Sequence, residues 1–178
     1  MSNKKKVVQA QYNLTSDIYH HRYQEIQLAK YRQISELIKK GDSPILELGI
    51  GTGIGTVFLP SRIQLIGIDL SIACLNVVKK NNDSNSVHVV NGDIDNLPFR
   101  SKSFPQILAV TVFQNLSSIN QVLKESLRVI KKPYNLIFSI LKKRLPNLFE
   151  KDIKTLFKEL SIFKHRNGED TLYHIQEK

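Results

Sequence analysis

The sequence predicts an α/β protein: a mostly parallel sheet flanked by helices and closed by a C-terminal antiparallel hairpin. Three observations carry this. Apolar runs of strand length alternate with stretches of helical periodicity, the pattern of a parallel sheet with crossover helices. One of those runs, ILELGIGTGIGT at 45–56, breaks into four glycines spaced two apart, half of the eight in the chain. Near the end, Asn167-Gly168-Glu169-Asp170 separates two β-like runs, and Asn-Gly between such runs is a strong hairpin signal.

The elements follow in order. Residues 22–40 read as a first helix, with Tyr23, Ile26, Ile34, Leu37 and Ile38 on one face and Gly41 as its stop. PILELGI (44–50) is a buried strand that runs into the glycine loop. VFLPSRIQ then leaves room for a crossover helix of about two turns, limited by Pro60. QLIGIDL (64–70) is the second strand and a helix follows at 71–81, in which the lone Cys74 reads as core packing. VHVVNGD (87–93) and QILAVTV (106–112) are the third and fourth strands. Ile119, Val122, Leu123 and Ile130 line one face of a helix ended by Pro133, and YNLIFSIL (134–141) is the fifth strand. Phe149, Ile153, Leu156, Phe157 and Leu160 mark a last amphipathic helix before the hairpin of ELSIFKHR and TLYHIQ. With no repeat, low-complexity segment or long linker, 178 residues read as one domain, 1–41 an N-terminal lid and helix and 42–178 the core.

Composition narrows the class. With 41% hydrophobic and 24% charged residues the chain reads as an ordinary soluble protein. No apolar run approaches the roughly 20 residues of a membrane span. The basic start MSNKKKVVQAQYN lacks the apolar stretch of a signal peptide, and a single cysteine fits a reducing compartment, so the expected location is cytoplasmic. The net charge of +10 is uneven. Residues 1–40 carry 8 Lys/Arg against 3 Asp/Glu, 41–100 carry 4 against 6, and 101–178 carry 14 against 7. The glycine loop thus lies in an acidic segment between basic flanks, which suit either a solvated surface or a polyanionic partner such as nucleic acid.

A glycine loop between a strand and a helix is where α/β proteins bind nucleotide-like ligands. The dinucleotide pattern G-x-G-x-x-G fails here, because Ile54 and Thr56 stand where the third glycine belongs in either register. The phosphate loop fails too, because no Gly-Lys-Ser/Thr follows. What fits is E-x-G-x-G-x-G, with Glu47, Gly49, Gly51 and Gly53, while Gly55 suits packing in the turn that follows. A carboxylate at the head of such a loop repels a pyrophosphate and suits a cationic ligand.

This segment resembles the first motif of class I S-adenosylmethionine-dependent methyltransferases, in the branch of ubiquinone-biosynthesis-type and other small-molecule enzymes (the methyltransferase type 11 domain). Asp69 in GIDLS, 22 residues after Glu47, resembles the acid that ends the family's second strand. NGDIDNLPF resembles the branch's acidic segment after strand three, and RVIKK before strand five resembles its "RVLKPGG". The resemblance covers about 44–141 and implies a Rossmann-like, seven-stranded sheet with S-adenosyl-L-methionine as cofactor and S-adenosyl-L-homocysteine as product. It implies that Asp69, with Leu70 beside it, meets the ribose hydroxyls, that Asp93 meets the adenine amino group with Ile94 against the ring, and that backbone near Val110 and Thr111 approaches the methionine amine. In relatives an N-terminal segment folds over the cofactor; Tyr12, Tyr19 and Tyr23 are the aromatic candidates, able to face a sulfonium. No metal is implied.

The chain also departs from the family. Phe104 is followed by Pro105 and Gln106 where Phe-Asp is common, and Lys132-Pro133-Tyr134-Asn135 replaces the glycine turn. Methyl transfer from a sulfonium needs alignment above all, and a base only when the acceptor loses a proton. His20, with His21 beside it, is a candidate base; Gln114 and Asn115 in TVFQNLSS are candidates to face the acceptor, or to cap the next helix. The Asn/Asp-Pro-Pro-Tyr motif of enzymes that methylate base amino groups is missing. The expected function is methyl transfer to a small molecule. The alternatives are an RNA or protein methyltransferase using the basic flanks, and a degenerate module that holds cofactor without turnover.

Overall fold

The computed structural model describes residues 3–60, 63–82, 86–116, 119–144, 149–167 and 169–177, and their side chains except at 16–23, 144, 149, 166 and 167. The first 40 residues contain neither glycine nor proline, so nothing interrupts a helix. Helix α1 accordingly runs from Asn3 to Leu37, absorbing the predicted lid and the predicted helix into one element. Ile34 and Ile38 are buried as the periodicity requires, with Tyr31, outside the predicted set, buried beside them, but Ile26 is 56% exposed and lies off the packed face.

Seven strands form one sheet: β1 (Ile45–Leu48), β2 (Leu65–Asp69), β3 (Val87–Asn91), β4 (Phe104–Val110), β5 (Ile130–Leu141), β6 (Leu160–Asn167) and β7 (Asp170–Glu177). Their order is β3-β2-β1-β4-β5-β7-β6. The first five are parallel, and β7 is antiparallel to both β5 and β6. The chain order reverses between β1 and β4, so a crevice opens beyond their carboxyl ends, the place where open α/β sheets bind ligands.

Alternation along the strands divides two cores. Ile45, Leu65, Leu108 and Val110 face α1 and helix α2 (Ile72–Asn81); Leu46, Leu48, Ile107 and Ala109 face helices α3 (Ile119–Val129) and α4 (Phe149–Leu156). Each such Leu or Ile contributes roughly 1.5–3 kcal/mol on burial, and both faces of the sheet are covered. Cys74 is buried in α2, as its helical spacing predicts.

Three predicted elements change, one of them the last helix, which ends at Leu156 so that Leu160 opens β6 and pairs with Glu177. The first crossover helix shrinks to a five-residue 3-10 turn at Ile54–Phe58. α3 ends at Val129 rather than at Pro133, because Ile130 already pairs with Phe104. Both sequence departures from the family find partners here. Pro105 lacks a ladder donor, and it falls where the β4–β5 register shifts between Phe104 and Gln106. Gln106 and Asn135 are fully buried and bond each other, Asn135 Nδ2 donating to Gln106 Oε1 at 2.7 Å. Gln106 also binds the carbonyls of Lys39 and Asp42 at 2.9 and 2.7 Å, and Asn135 lies 2.7 Å from His174 Nε2. This network ties the end of α1 to the amino ends of the strands. Similarly, Arg128 of RVIKK donates to the carbonyls of Leu97 and Phe99 at 2.9 and 2.8 Å, so the last helix motif holds the LPF segment in place.

Candidate functional site

The glycine loop leaves β1 through Gly49, Gly51 and Gly53, all in the left-handed region with φ of 66°, 56° and 72°. Their reasons differ. A Cβ on Gly49 would lie 2.6 Å from Val112, one on Gly53 would lie 3.0 Å from Val78, and one on Gly55 would lie 2.1 Å from the Tyr31 ring. Only at Gly51 would a Cβ meet nothing within 4 Å, and Gly51 lines the pocket. Thus one glycine of the four leaves its space to the pocket, and the others let protein pack against the loop. Gly53 lies off the main pocket wall and lines a neighbouring depression.

Two carboxylates end the adjacent strands. Asp69, the last residue of β2, accepts from Gly51 N at 2.9 Å and from Ser71 N at 2.8 Å. Burial raises its pKa, opposed by those backbone donors. Ser71, not Asp69, caps α2 by accepting from Cys74 N. Asp93, two residues past β3, lines the same pocket with Leu70 and Ile94. Burial pushes the Asp93 carboxyl up, but the Lys5 ammonium at 2.5 and 2.8 Å outweighs it and holds the group below its ordinary value. Lys5 also pairs with Asp95.

Lys5 comes from α1, which roofs the pocket. Gln9 donates to the Leu70 carbonyl at 2.8 Å, Ser71 Oγ donates to Asn13 at 2.6 Å, and Asn115 Nδ2 lies 3.3 Å from the Tyr12 hydroxyl. Tyr12 lines the pocket. The side chains of Tyr19, Tyr23, His20 and His21 lie outside the described residues. Lys5, Val8, Gln9 and Tyr12 recur at i, i+3, i+4 and i+7, a helical face that was legible but fell in a segment read only as a lid.

Thr111 follows β4 on the pocket wall with φ of 57°. Gln114 donates to the carbonyl of the pocket-lining Thr111 without lining the pocket itself, while Asn115 lines it. Glu47 lies beneath the loop. Strand alternation turns it to the α1 face, where it is 2% exposed and accepts from the Tyr31 hydroxyl. Burial raises its pKa to about 7, the Tyr31 bond opposing and the nearby Asp69 adding.

Among the described residues no group of three or more His, Cys, Asp or Glu could hold a metal, and no helix is long and apolar enough to cross a membrane. Comparison with known proteins gives the site a family. Residues 46–138 match the family model described as a methyltransferase domain. Demethylmenaquinone methyltransferase of Thermotoga maritima is 30% identical over 109 residues, which cover 60% of this chain and 47% of that one. The chain thus spans about half the length of that curated relative. Among solved structures, a putative S-adenosyl-L-methionine-dependent methyltransferase of Methanococcus maripaludis superimposes with a TM-score of 0.79 at 12% identity, covering 100% of this chain and 95% of that one. Magnesium protoporphyrin IX methyltransferase of Synechocystis PCC 6803, solved with bound S-adenosylmethionine, gives 0.75 at 14% identity, covering 100% and 99%. With its seven-stranded sheet, its glycine loop and the acids at two successive strand ends, the chain belongs to the class I S-adenosyl-L-methionine-dependent methyltransferases, whose cofactor is S-adenosyl-L-methionine.

Proposed function

We propose that this chain transfers a methyl group from S-adenosyl-L-methionine to a small-molecule acceptor. The observation that carries the reading is the pairing of Asp69 and Asp93 on one pocket wall with the open Gly51. Those residues fit the cofactor. The two carboxylates accept hydrogen bonds from hydroxyl and amino groups, Leu70 and Ile94 offer apolar surface to a ring, and Gly51 leaves room for a chain passing the backbone. Asp69 is the candidate for the ribose, Asp93 for the adenine amino group, and the Thr111 backbone for the methionine end. Glu47 supports the loop from behind, through Tyr31, rather than from the pocket wall.

When bound, the cofactor supplies a methyl group on a sulfonium, a carbon already activated for in-line displacement. The protein's share is to orient and to exclude water. Val8, Tyr12, Val112 and Leu116 give the roofed part of the pocket an apolar lining, and Asn115 supplies a polar group there. A covered, largely apolar pocket suits a compact acceptor better than a polymer. The curated relative named above acts, by its name, on a demethylated menaquinone, a small molecule, which supports the same class. The basic N-terminal segment is less available to a polyanion than its charge suggests, because Lys5 and Lys30 are each 5% exposed and paired with carboxylates.

The test is calorimetric titration with S-adenosyl-L-homocysteine, with NAD as control, followed by labelled methyl donor in a cell extract. The expected result is micromolar binding, weakened at least about tenfold in Asp69→Ala, and label in the low-molecular-weight fraction. Label in RNA or protein would overturn the small-molecule reading. Binding without transfer to any fraction would point to a module that holds cofactor without turnover.

A further inference from the structure

A second polar cluster lies behind the pocket wall, and nothing in the motifs accounts for it. Lys30 of α1 is 5% exposed, and its ammonium lies 2.9 Å from Asp170 Oδ2 and 2.9 Å from Thr111 Oγ1. Asp170, the first residue of β7, is fully buried. Its Oδ2 also accepts from Ser139 Oγ of β5 at 2.8 Å and from Thr111 Oγ1 at 3.2 Å. The Thr111 amide donates to both the carbonyl and the hydroxyl of Ser139, each at 3.0 Å. Three elements, α1, β5 and β7, therefore converge on Thr111 at the end of β4. That residue is a β-branched side chain held at φ of 57°, a conformation that persists only where the surroundings over-determine it.

The geometry points to Lys30 and Asp170 as positioning residues for the methionine end of the cofactor site. Neither lines the pocket; both act through Thr111, which does. Thr111 leads into Val112, whose methyl groups fill the space over Gly49, so the turn and the glycine loop are fixed against each other. A buried ion pair is weak support for stability, since apolar replacement is often neutral, and its retention here fits a need for one backbone geometry. The inference rests on the cofactor reading for its ligand, and on the Thr111 turn alone for its structural half.

The experiment compares the wild type with the charge-neutral pair Lys30→Met/Asp170→Asn, since Lys30→Met alone strands a buried carboxylate and can fail to fold. Hydrogen exchange without ligand is expected to rise across Thr111–Asn115 in the double variant while β1 and β2 keep their protection. Titration is expected to show S-adenosyl-L-homocysteine weakened about tenfold, with adenosine, which lacks the methionine moiety, held within about twofold. Unchanged exchange across Thr111–Asn115 overturns the inference whether or not any ligand binds. Equal weakening of both ligands, or of neither, overturns the assignment to the methionine end. A wild type that binds neither ligand sinks the cofactor reading, and the exchange result still decides the role of the ion pair.

Discussion

Glu47 is a buried carboxyl bonded to Tyr31 and close to Asp69, and its stability effect has a definite sign. Its folded pKa, about 7, lies above the ordinary value of 4.5. The folded state therefore holds a proton that the unfolded chain releases between those values, and stability falls as pH rises through that window. At about 1.4 kcal/mol per unit the loss amounts to a few kcal/mol. Urea unfolding at pH 5 and pH 8 is expected to show the wild type losing stability relative to Glu47→Gln, and parallel curves would refute it. The glycines are equally individual. Gly55→Ala drives a methyl into the Tyr31 ring and is expected to destabilise by about 1–3 kcal/mol. Gly51→Ala meets no atom, so thermal melting is expected to show only about 1–2 kcal/mol of left-handed strain, with the larger effect on cofactor affinity.

At the scale of elements, strands and helices are joined by polar side chains that the hydrophobic pattern does not report. Asn135→Leu takes this partner from His174 Nε2 and one of two donors from Gln106 Oε1, which keeps the Lys39 amide, so a loss of roughly 1–3 kcal/mol is expected. Adding Gln106→Leu is expected to cost less than the sum of the two single changes, because the partners are already lost. Full additivity in a double-mutant cycle would show that the two side chains do not act together. α1 is held over the pocket in the same manner, by Lys5, Gln9 and Asn13. Lys5→Met is expected to raise hydrogen exchange in the first turns of α1 and to return the Asp93 carboxyl toward its ordinary pKa. The second effect is readable by carbon-detected NMR titration.

For the whole molecule, the two cores share one sheet, and α1 touches the glycine loop, the end of β4 and β7. Nothing in that arrangement lets one half unfold while the other keeps its packing. Urea transitions followed by far-UV circular dichroism and by tyrosine fluorescence (the chain has six Tyr and no Trp) are expected to superimpose. Separate transitions would divide the chain into two cooperative units.

The alternation of apolar runs and helical stretches determined the strand list, and the glycine motif with Asp69 and Asp93 marked residues of which Gly49, Gly51, Asp69 and Asp93 meet in one pocket. These are local signals: strand burial, turn conformation and the acid ending a strand are written in adjacent residues. Tertiary structure alone decided the rest, because it depends on pairs far apart in the chain. Lys5 meets Asp93, Lys30 meets Asp170, and Gln106 meets Asn135, and no spacing rule links such positions. The same holds for the division of labour among the glycines. Their φ angles answer to the turn, but what each one makes room for is set by Val112, Val78 and Tyr31, brought in from elsewhere by the fold.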